Sequence, residues 1–589
     1  MENSFIIAID FGTAYSGYVF NITPSNEEPD PHLKKWGKEI GLDTPKAPTC
    51  ILFNESEEFV AFGYEATEAY NCMGGEDAKK YYFFQNFKMA LYGEEVRRDI
   101  KIKAANGKEM TALQVFTEAL RFLKDDALKT INSNAMGMMF EAFDFTWVLT
   151  VPAIWDQSAK QFMREAAMQA GIVEEGSEER LVIALEPEAA SIWCKKLPSD
   201  GFIAEKHNGT PLDQCQGSQY IVVDCGGGTI DLTVHEVLEG GALKELHKAS
   251  GNDLGGQTVD RKFKEFLREI FSDGVWEEYE GKYPSEVQKL MYDFTRLKQS
   301  DEDVQITCSF NLGTLAQNKK DLKKFFESVK GASWNDGSIK ISKEKMRYFF
   351  EESLQGITRN LREILDRNYS IEYILLVGGF ASSQILHQYI VDQFSGTCRI
   401  LCPFRAQEAI LRGAVEFGRN PFWVASRKSP YTYGVALCEP FDELKHKPEK
   451  KFMIGEEEWC CDMFRTLVRV GEDVGWDEIR VHILRPVDKY QTRMVMRFYR
   501  TERLFPKYVD DLGVEKAGSF DVEMPDINGG RERQVRLEIK FGSTEITAKG
   551  IDMTSGSKGL IKFDFIRTDD PSCVEPFLYY SPFGKTGLE

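Results

Sequence analysis

Two aspartates carry the first chemical signal. Asp10 ends the apolar run from Phe5 to Ile9 and is followed by Phe11, Gly12, Thr13, Ala14, Tyr15, Ser16 and Gly17. Asp224 ends the run from Tyr220 to Val223 and is followed by Cys225, Gly226, Gly227, Gly228, Thr229, Ile230 and Asp231. Each carboxylate stands where a buried strand meets a small-residue turn and then a returning strand. Such turns bring backbone N–H groups against phosphate oxygens, because glycine tolerates close approach and unusual φ/ψ. Two strand-end carboxylates could hold a hydrated Mg²⁺ bridging those phosphates, a cation that takes oxygen ligands and keeps its waters. An ordinary hairpin can contain one such turn. Two copies of the device, 214 residues apart, point to a phosphate site.

A device used twice implies a duplicated half, with two lobes facing each other across a cleft. Within each half, strands alternate with helices. Phe145–Val151 is a continuous apolar run, as a strand covered on both faces requires. Pro152 ends it, and a helix follows from Asp156, its N-cap, to a stop at Gly171. Leu181–Leu185 reads as the next strand, leading into a helix from Glu186. Tyr373–Val377 is another, meeting Gly378 and Gly379. This is an α/β pattern.

Near Asn420 the pattern changes. Arg427-Lys-Ser-Pro430 reads as a polar break, and beyond it alternating segments replace helices: 465–470, 478–484, 493–499 and 534–541. Ala517-Gly518 reads as a turn. Alternation with one wet and one dry face predicts a β-sandwich. The expected domains are 1–420 (first lobe to about 215, second lobe 216–400, a return helix to 420), a linker at 421–430, the sandwich at 431–568 and a tail at 569–589.

The 589 residues exceed one hydrophobic core. Lys and Arg number 73 against 93 Asp and Glu, a net charge of −20, which leaves no basic excess for nucleic acid. The first ten residues lack the basic region of a signal peptide, and no run approaches the ~18 apolar residues of a membrane span. Twelve cysteines scattered through apolar stretches read as reduced, buried thiols. The adjacent Cys460-Cys461 lacks the second pair a zinc site needs. A cytoplasmic location is expected.

With these residues in view, the chain resembles the seventy-kilodalton heat-shock family. The segments from Asp10 and Asp224 resemble its two phosphate loops; Val151-Pro-Ala-Ile-Trp-Asp-Gln-Ser resembles its first connecting segment and Glu186-Pro-Glu-Ala-Ala-Ser the helix after it. Leu376-Val-Gly-Gly-Phe-Ala-Ser-Ser resembles its adenosine loop, and Gln407-Glu-Ala-Ile-Leu-Arg-Gly-Ala-Val its second connecting helix. The wording around Phe380 is most similar to the divergent branch called heat shock 70 kDa protein 12. The resemblance implies an actin-like, two-lobed ATPase of duplicated ribonuclease-H-like halves, binding ATP or ADP with Mg²⁺ and K⁺. It implies that Asp10 and Asp224 hold Mg²⁺ through water, that Asp231 sits beside the attacking water, and that Thr13 and Thr229 donate hydroxyls to phosphate. Lys88 would approach the γ-phosphate and Glu186 would place the metal waters. Gly12, Ala14, Tyr15, Gly226, Gly227, Gly228, Gly255, Gly256, Arg296, Ser300, Gly378, Gly379 and Phe380 would complete the nucleotide contacts.

The departures from the family are equally specific. Ala14 stands where a second threonine is usual, Phe380 and Ser382 replace Ser and Arg in the adenosine loop, and Leu297 takes an arginine position. Both halves of a cationic adenine clamp are therefore missing, and Phe380 or Leu297 would offer apolar packing to the base instead. Ser519–Pro525 and 538–556 resemble the family's last sandwich strands, while the helical lid, the acidic-leucine linker and the acidic C-terminal signal are absent. The reading that follows is a slow ATPase coupled to a lidless, peptide- or protein-binding sandwich, served by nucleotide-exchange or J-type co-chaperones. A non-hydrolysing scaffold and, less favoured, a small-molecule kinase are the alternatives.

Overall fold

A computed structural model describes residues 5–23, 31–93, 96–134, 139–203, 216–317, 322–335, 337–556, 558–561, 563–566 and 579–580. In the first half, Phe5–Phe11 pairs antiparallel with Tyr15–Asn21 and parallel with Phe145–Val151, which pairs in turn with Leu181–Leu185. In the second, Gln219–Cys225 pairs antiparallel with Ile230–Val237 and parallel with Ile371–Val377. The two aspartates hold equivalent places. Asp10 lies opposite Gly17 and beside Thr150; Asp224 lies opposite Asp231 and beside Val377. The expected lobe boundary at residue 215 falls outside the described residues.

Each lobe has its own apolar core, and a third lies between the sheets. That central core is crossed by helices Glu186–Cys194 and Ala406–Arg419. Gly413 lets them meet: a Cβ there would overlap the Ala189 carbonyl. Asp156 caps helix Gln157–Gln169, its carboxylate accepting the Ala159 N–H at 3.0 Å. Ten described cysteines are free thiols, and all but Cys72 and Cys461 are buried.

After Arg419 no α-helix occurs among the described residues. Two five-stranded antiparallel sheets follow, with Val435, Met496 and Phe498 of one and Leu484, Leu537 and Ile539 of the other filling a shared core. Three expectations need correction. The polar break is no free linker: Val424–Lys428 is a strand joining the second-lobe sheet beside Leu243–Asn252, and Asp473–Gly475 of the C-terminal domain pairs with its other edge. Arg427 is buried there because Glu188 neutralises it. Ala517-Gly518 is no turn either; it lies within strand Val514–Glu523 at a bulge, where a Cβ on Gly518 would come 2.7 Å from the Asp564 carbonyl oxygen. The tail, finally, adds a short strand, Tyr579–Tyr580, paired with Arg485 and Pro486; its remaining residues lie outside the described ones.

The C-terminal domain is also seated on the first lobe. Arg164 binds Glu545, Lys160 donates to the Thr544 carbonyl at 3.2 Å, and Asp564 accepts from Arg98 and Gln161 at 3.0 and 3.2 Å. Arg500 reaches the Asp156 carboxylate at 3.3 Å.

Candidate nucleotide cleft

Because both hairpins open on the same side, their turns meet. A Cβ on Gly227 would lie 2.6 Å from the Ala14 methyl, so the two Gly/Thr loops touch at this point. Behind the second loop, helix Gly256–Ile270 begins. Its first N–H groups are used on the loop: Gly255 donates to Gly228, Gly256 to Gly226 and Gln257 to Gly227 at 2.8–3.1 Å. Gly255 and Gly256 therefore buttress the loop, and Gly256 also borders the cleft.

One continuous cavity runs from the loops toward Phe380. Asp10, Gly12, Thr13, Ala14, Tyr15, Lys88, Glu186, Asp224, Gly226, Gly227 and Thr229 line one end, and Gly256, Gly378, Gly379 and Phe380 the other. Asp231 lies beneath the floor; its Oδ1 accepts the Ile154 N–H at 3.0 Å, tying the second lobe to the first connecting segment. Gly228 packs against Met89 and Thr13. Arg296 and Leu297 face a neighbouring cleft, and Leu297 also packs on the second-lobe core. Ser300 hydrogen-bonds the Leu297 carbonyl and borders neither.

Several residues at the cleft carry no signal in the sequence. Lys46, from the segment that wraps the first loop, forms a buried ion pair with Asp10 Oδ2, while Thr150 donates to Asp10 Oδ1 at 3.1 Å. At the far end Lys298 donates to the Gly256 carbonyl and the Asp260 carboxylate at 2.6 and 2.7 Å. A cation thus stands at the Phe380 end of the cavity, supplied by the residue after Leu297. Phe380 is buried on the cavity wall, its ring 5.7 Å from Phe350 in a stacked contact. Trp155 lies under the Lys88 ammonium at 5.1 Å.

Lys88 is not on a solvated face. It sits in the 3₁₀ turn Phe87–Leu91, is 1% exposed, and holds Glu186 Oε1 at 2.7 Å. Burial pushes the Glu186 carboxyl up to about 7 despite that lysine. Asp224 is raised well above its ordinary value, first by burial and then by Glu186, Asp231 and Asp10; burial raises Asp231 too. Asp224 Oδ1 and Asp231 Oδ2 are buried with no hydrogen-bond partner. Orphaned carboxylate oxygens beside two glycine-containing loops suit a hydrated divalent cation, which would compensate the charge that protein groups leave unmatched. Among the described residues no group of three or more His, Cys, Asp or Glu side chains is placed to hold a metal ion directly.

Two hairpins with strand-end carboxylates, closing on one cleft between duplicated sheets, define an actin-like nucleotide-binding protein. The Hsp70 protein family model matches residues 75–415. The chain belongs to that family. It is 33% identical to mouse heat shock 70 kDa protein 12A over 95% of its own length and 91% of that protein's, and 32% identical to human heat shock 70 kDa protein 12B over 96% and 91%. It shares 28% identity with the chaperone protein DnaK of Mycoplasmopsis synoviae (strain 53), over 36% of this chain and 28% of that one. It is therefore a divergent, nucleotide-binding member resembling the heat shock 70 kDa protein 12 branch.

Proposed function

We propose that this chain is an ATP-switched, chaperone-like protein that hydrolyses ATP slowly and couples the nucleotide state to a lidless two-sheet domain binding a protein or peptide partner. The observation that carries the coupling is one chain of contacts. Glu186 faces the cleft; two residues on, Glu188 accepts Nε and Nη2 of Arg427 at 2.6 and 2.5 Å, and Arg427 Nη1 donates to the Gly542 carbonyl of the C-terminal domain at 2.6 Å. A shift of the helix bearing both glutamates would be felt at both ends.

In this reading the backbone N–H groups of the two glycine-rich loops, with the Thr13 and Thr229 hydroxyls, hold the phosphates. Lys88 neutralises charge at the terminal phosphate. Asp231, fixed by the Ile154 N–H, accepts a hydrogen bond from the attacking water and orients it. Bound Mg²⁺, held through water by Asp10 and Asp224 with Glu186 ordering its waters, would neutralise phosphate charge. Catalysis here is positioning and charge compensation, with little covalent work for the protein. Phe380 and Lys298 would receive the base. Co-chaperones of the exchange or J type and a cytoplasmic location belong to the same proposal; no helix among the described residues is long and apolar enough to cross a membrane.

The test is single-turnover conversion of labelled ATP by purified protein with Mg²⁺ and K⁺. Slow ADP formation that Lys88→Ala abolishes supports hydrolysis. Tight binding without conversion supports instead a nucleotide-regulated scaffold, a reading that the Lys46–Asp10 ion pair favours, since a lysine already neutralises one of the two carboxylates expected to hold the metal waters.

A further inference from the structure

Lys46 is an unusual residue to find beside a phosphate loop. It is 8% exposed, and its ammonium contacts Asp10 within the wall of the cleft. A buried lysine is costly to desolvate unless it is compensated, so its place is specified by the fold. That specification is visible in Gly17, the hairpin partner of Asp10. A Cβ on Gly17 would come 3.1 Å from Lys46 Cγ and 2.8 Å from the Pro45 carbonyl. The missing side chain makes the channel through which the lysine stem reaches the aspartate. Thr49 anchors the same segment, its N–H donating to the Ala14 carbonyl and its hydroxyl to the Gly12 carbonyl, both at 2.8 Å. Lys46 therefore moves with the first phosphate loop.

An ammonium has three N–H donors. Among the described residues Asp10 is the one hydrogen-bond partner of the Lys46 ammonium. Two donors remain, in the wall of the cavity that receives phosphate. The cluster gathers four acidic side chains, Asp10, Glu186, Asp224 and Asp231, and the fold brings a lysine to two of them, Lys46 to Asp10 and Lys88 to Glu186.

We propose that Lys46 is a tethered counter-ion of the cleft, binding Asp10 and the nucleotide's phosphate oxygens together, so that nucleotide binding depends less on dissolved metal than the carboxylates alone would require. The inference rests on the nucleotide-binding reading of the cleft and adds to it the source of one of its positive charges.

The test is ADP affinity by calorimetry, in Mg²⁺ and in excess EDTA, for the wild type, Lys46→Met and Lys46→Arg. Lys46 and Mg²⁺ neutralise the same oxygens, so their contributions are non-additive. The wild type loses under about 10-fold on metal removal. Lys46→Met loses roughly 10–100-fold more in EDTA than in Mg²⁺, the range expected for a charge-assisted contact. Lys46→Arg keeps most of the metal-independent binding. If Lys46→Met lowers affinity by the same factor in both buffers, or not at all, the proposal is overturned. If the wild type binds no ADP even in Mg²⁺, the nucleotide reading itself has failed. Should Lys46→Met not fold because Asp10 is left buried and unpaired, the Asp10→Asn/Lys46→Met pair removes both charges and must show the same steepened metal dependence.

Discussion

Glu186 and Glu188 share the first turn of one helix, yet Glu186 binds Lys88 in the cleft and Glu188 binds Arg427 on the strand entering the C-terminal domain. Two residues of one helical turn thus join the phosphate end of the site to the domain that would carry a partner. The helix itself is pinned to Ala406–Arg419 through Gly413, so any opening of the lobes must move it.

The Glu188–Arg427 pair makes an asymmetric prediction. Removing one partner leaves a buried charge alone, so Arg427→Ala should cost about 3–5 kcal/mol. Replacing both by methionine should cost far less, since a matched apolar pair removes the desolvation penalty along with the attraction. Chemical denaturation of the single and double variants measures the difference. Equal losses in all of them would show that the pair does not interact.

The carboxylate cluster predicts a stability gain from a functional loss. Asp224 is buried with an oxygen unpartnered and three acidic neighbours. Asp224→Asn should raise the melting temperature of the nucleotide-free, metal-free protein, by roughly 1–2 kcal/mol of added stability. It should also shrink the further rise that Mg²⁺ and ADP give the wild type. Thermal melts with and without both ligands decide it; a destabilised variant would contradict the charge argument.

Glu186 sets a pH dependence. Burial raises its folded pKa from the ordinary 4.5 to about 7, so between these values the folded chain keeps a proton that the unfolded chain has released. Its contribution to stability is full below about pH 4.5 and is lost as pH rises to about 7, by up to roughly 3 kcal/mol. Asp224 and Asp231 act with the same sign. Metal-free wild type should therefore lose stability relative to Glu186→Gln as pH rises from about 5 to 7. A constant difference across that window would refute the assignment.

Gly413→Ala tests the helix contact between the lobes. Its Cβ would overlap the Ala189 carbonyl, backbone that cannot rotate aside. A loss of about 1–3 kcal/mol or more is expected, with weaker nucleotide binding as the helices separate. Gly41→Ala, in open space but at φ +78°, is a control whose cost is backbone strain alone and which should spare nucleotide binding.

Much of this architecture is legible in the sequence because it is local. The runs ending in Asp10 and Asp224 announce buried strands, and the glycines after them announce the loops. Asp156 announces its helix. The alternation beyond residue 465 announces the second domain. Lys46 and Lys298 are not legible, because their roles exist only once distant segments meet: 36 residues separate Lys46 from Asp10, and 38 separate Lys298 from Asp260. Arg427 misleads for a related reason. A Lys/Arg cluster before a proline reads as solvated, and nothing nearby reveals that Glu188, 239 residues earlier, waits to neutralise it. Gly518 misleads too, since a glycine needed for close approach looks in sequence like one needed for a turn.

The most direct test of the coupled switch is hydrogen–deuterium exchange of the backbone amides in Val424–Lys428 and Asp473–Gly475, comparing the ATP-bound, ADP-bound and nucleotide-free protein. These strands pair with each other between the lobes and the C-terminal domain. A nucleotide-driven switch predicts that their protection differs between ATP and ADP, and that Arg427→Ala erases the difference while ADP still binds. Identical protection in all three states, with nucleotide bound, would contradict it.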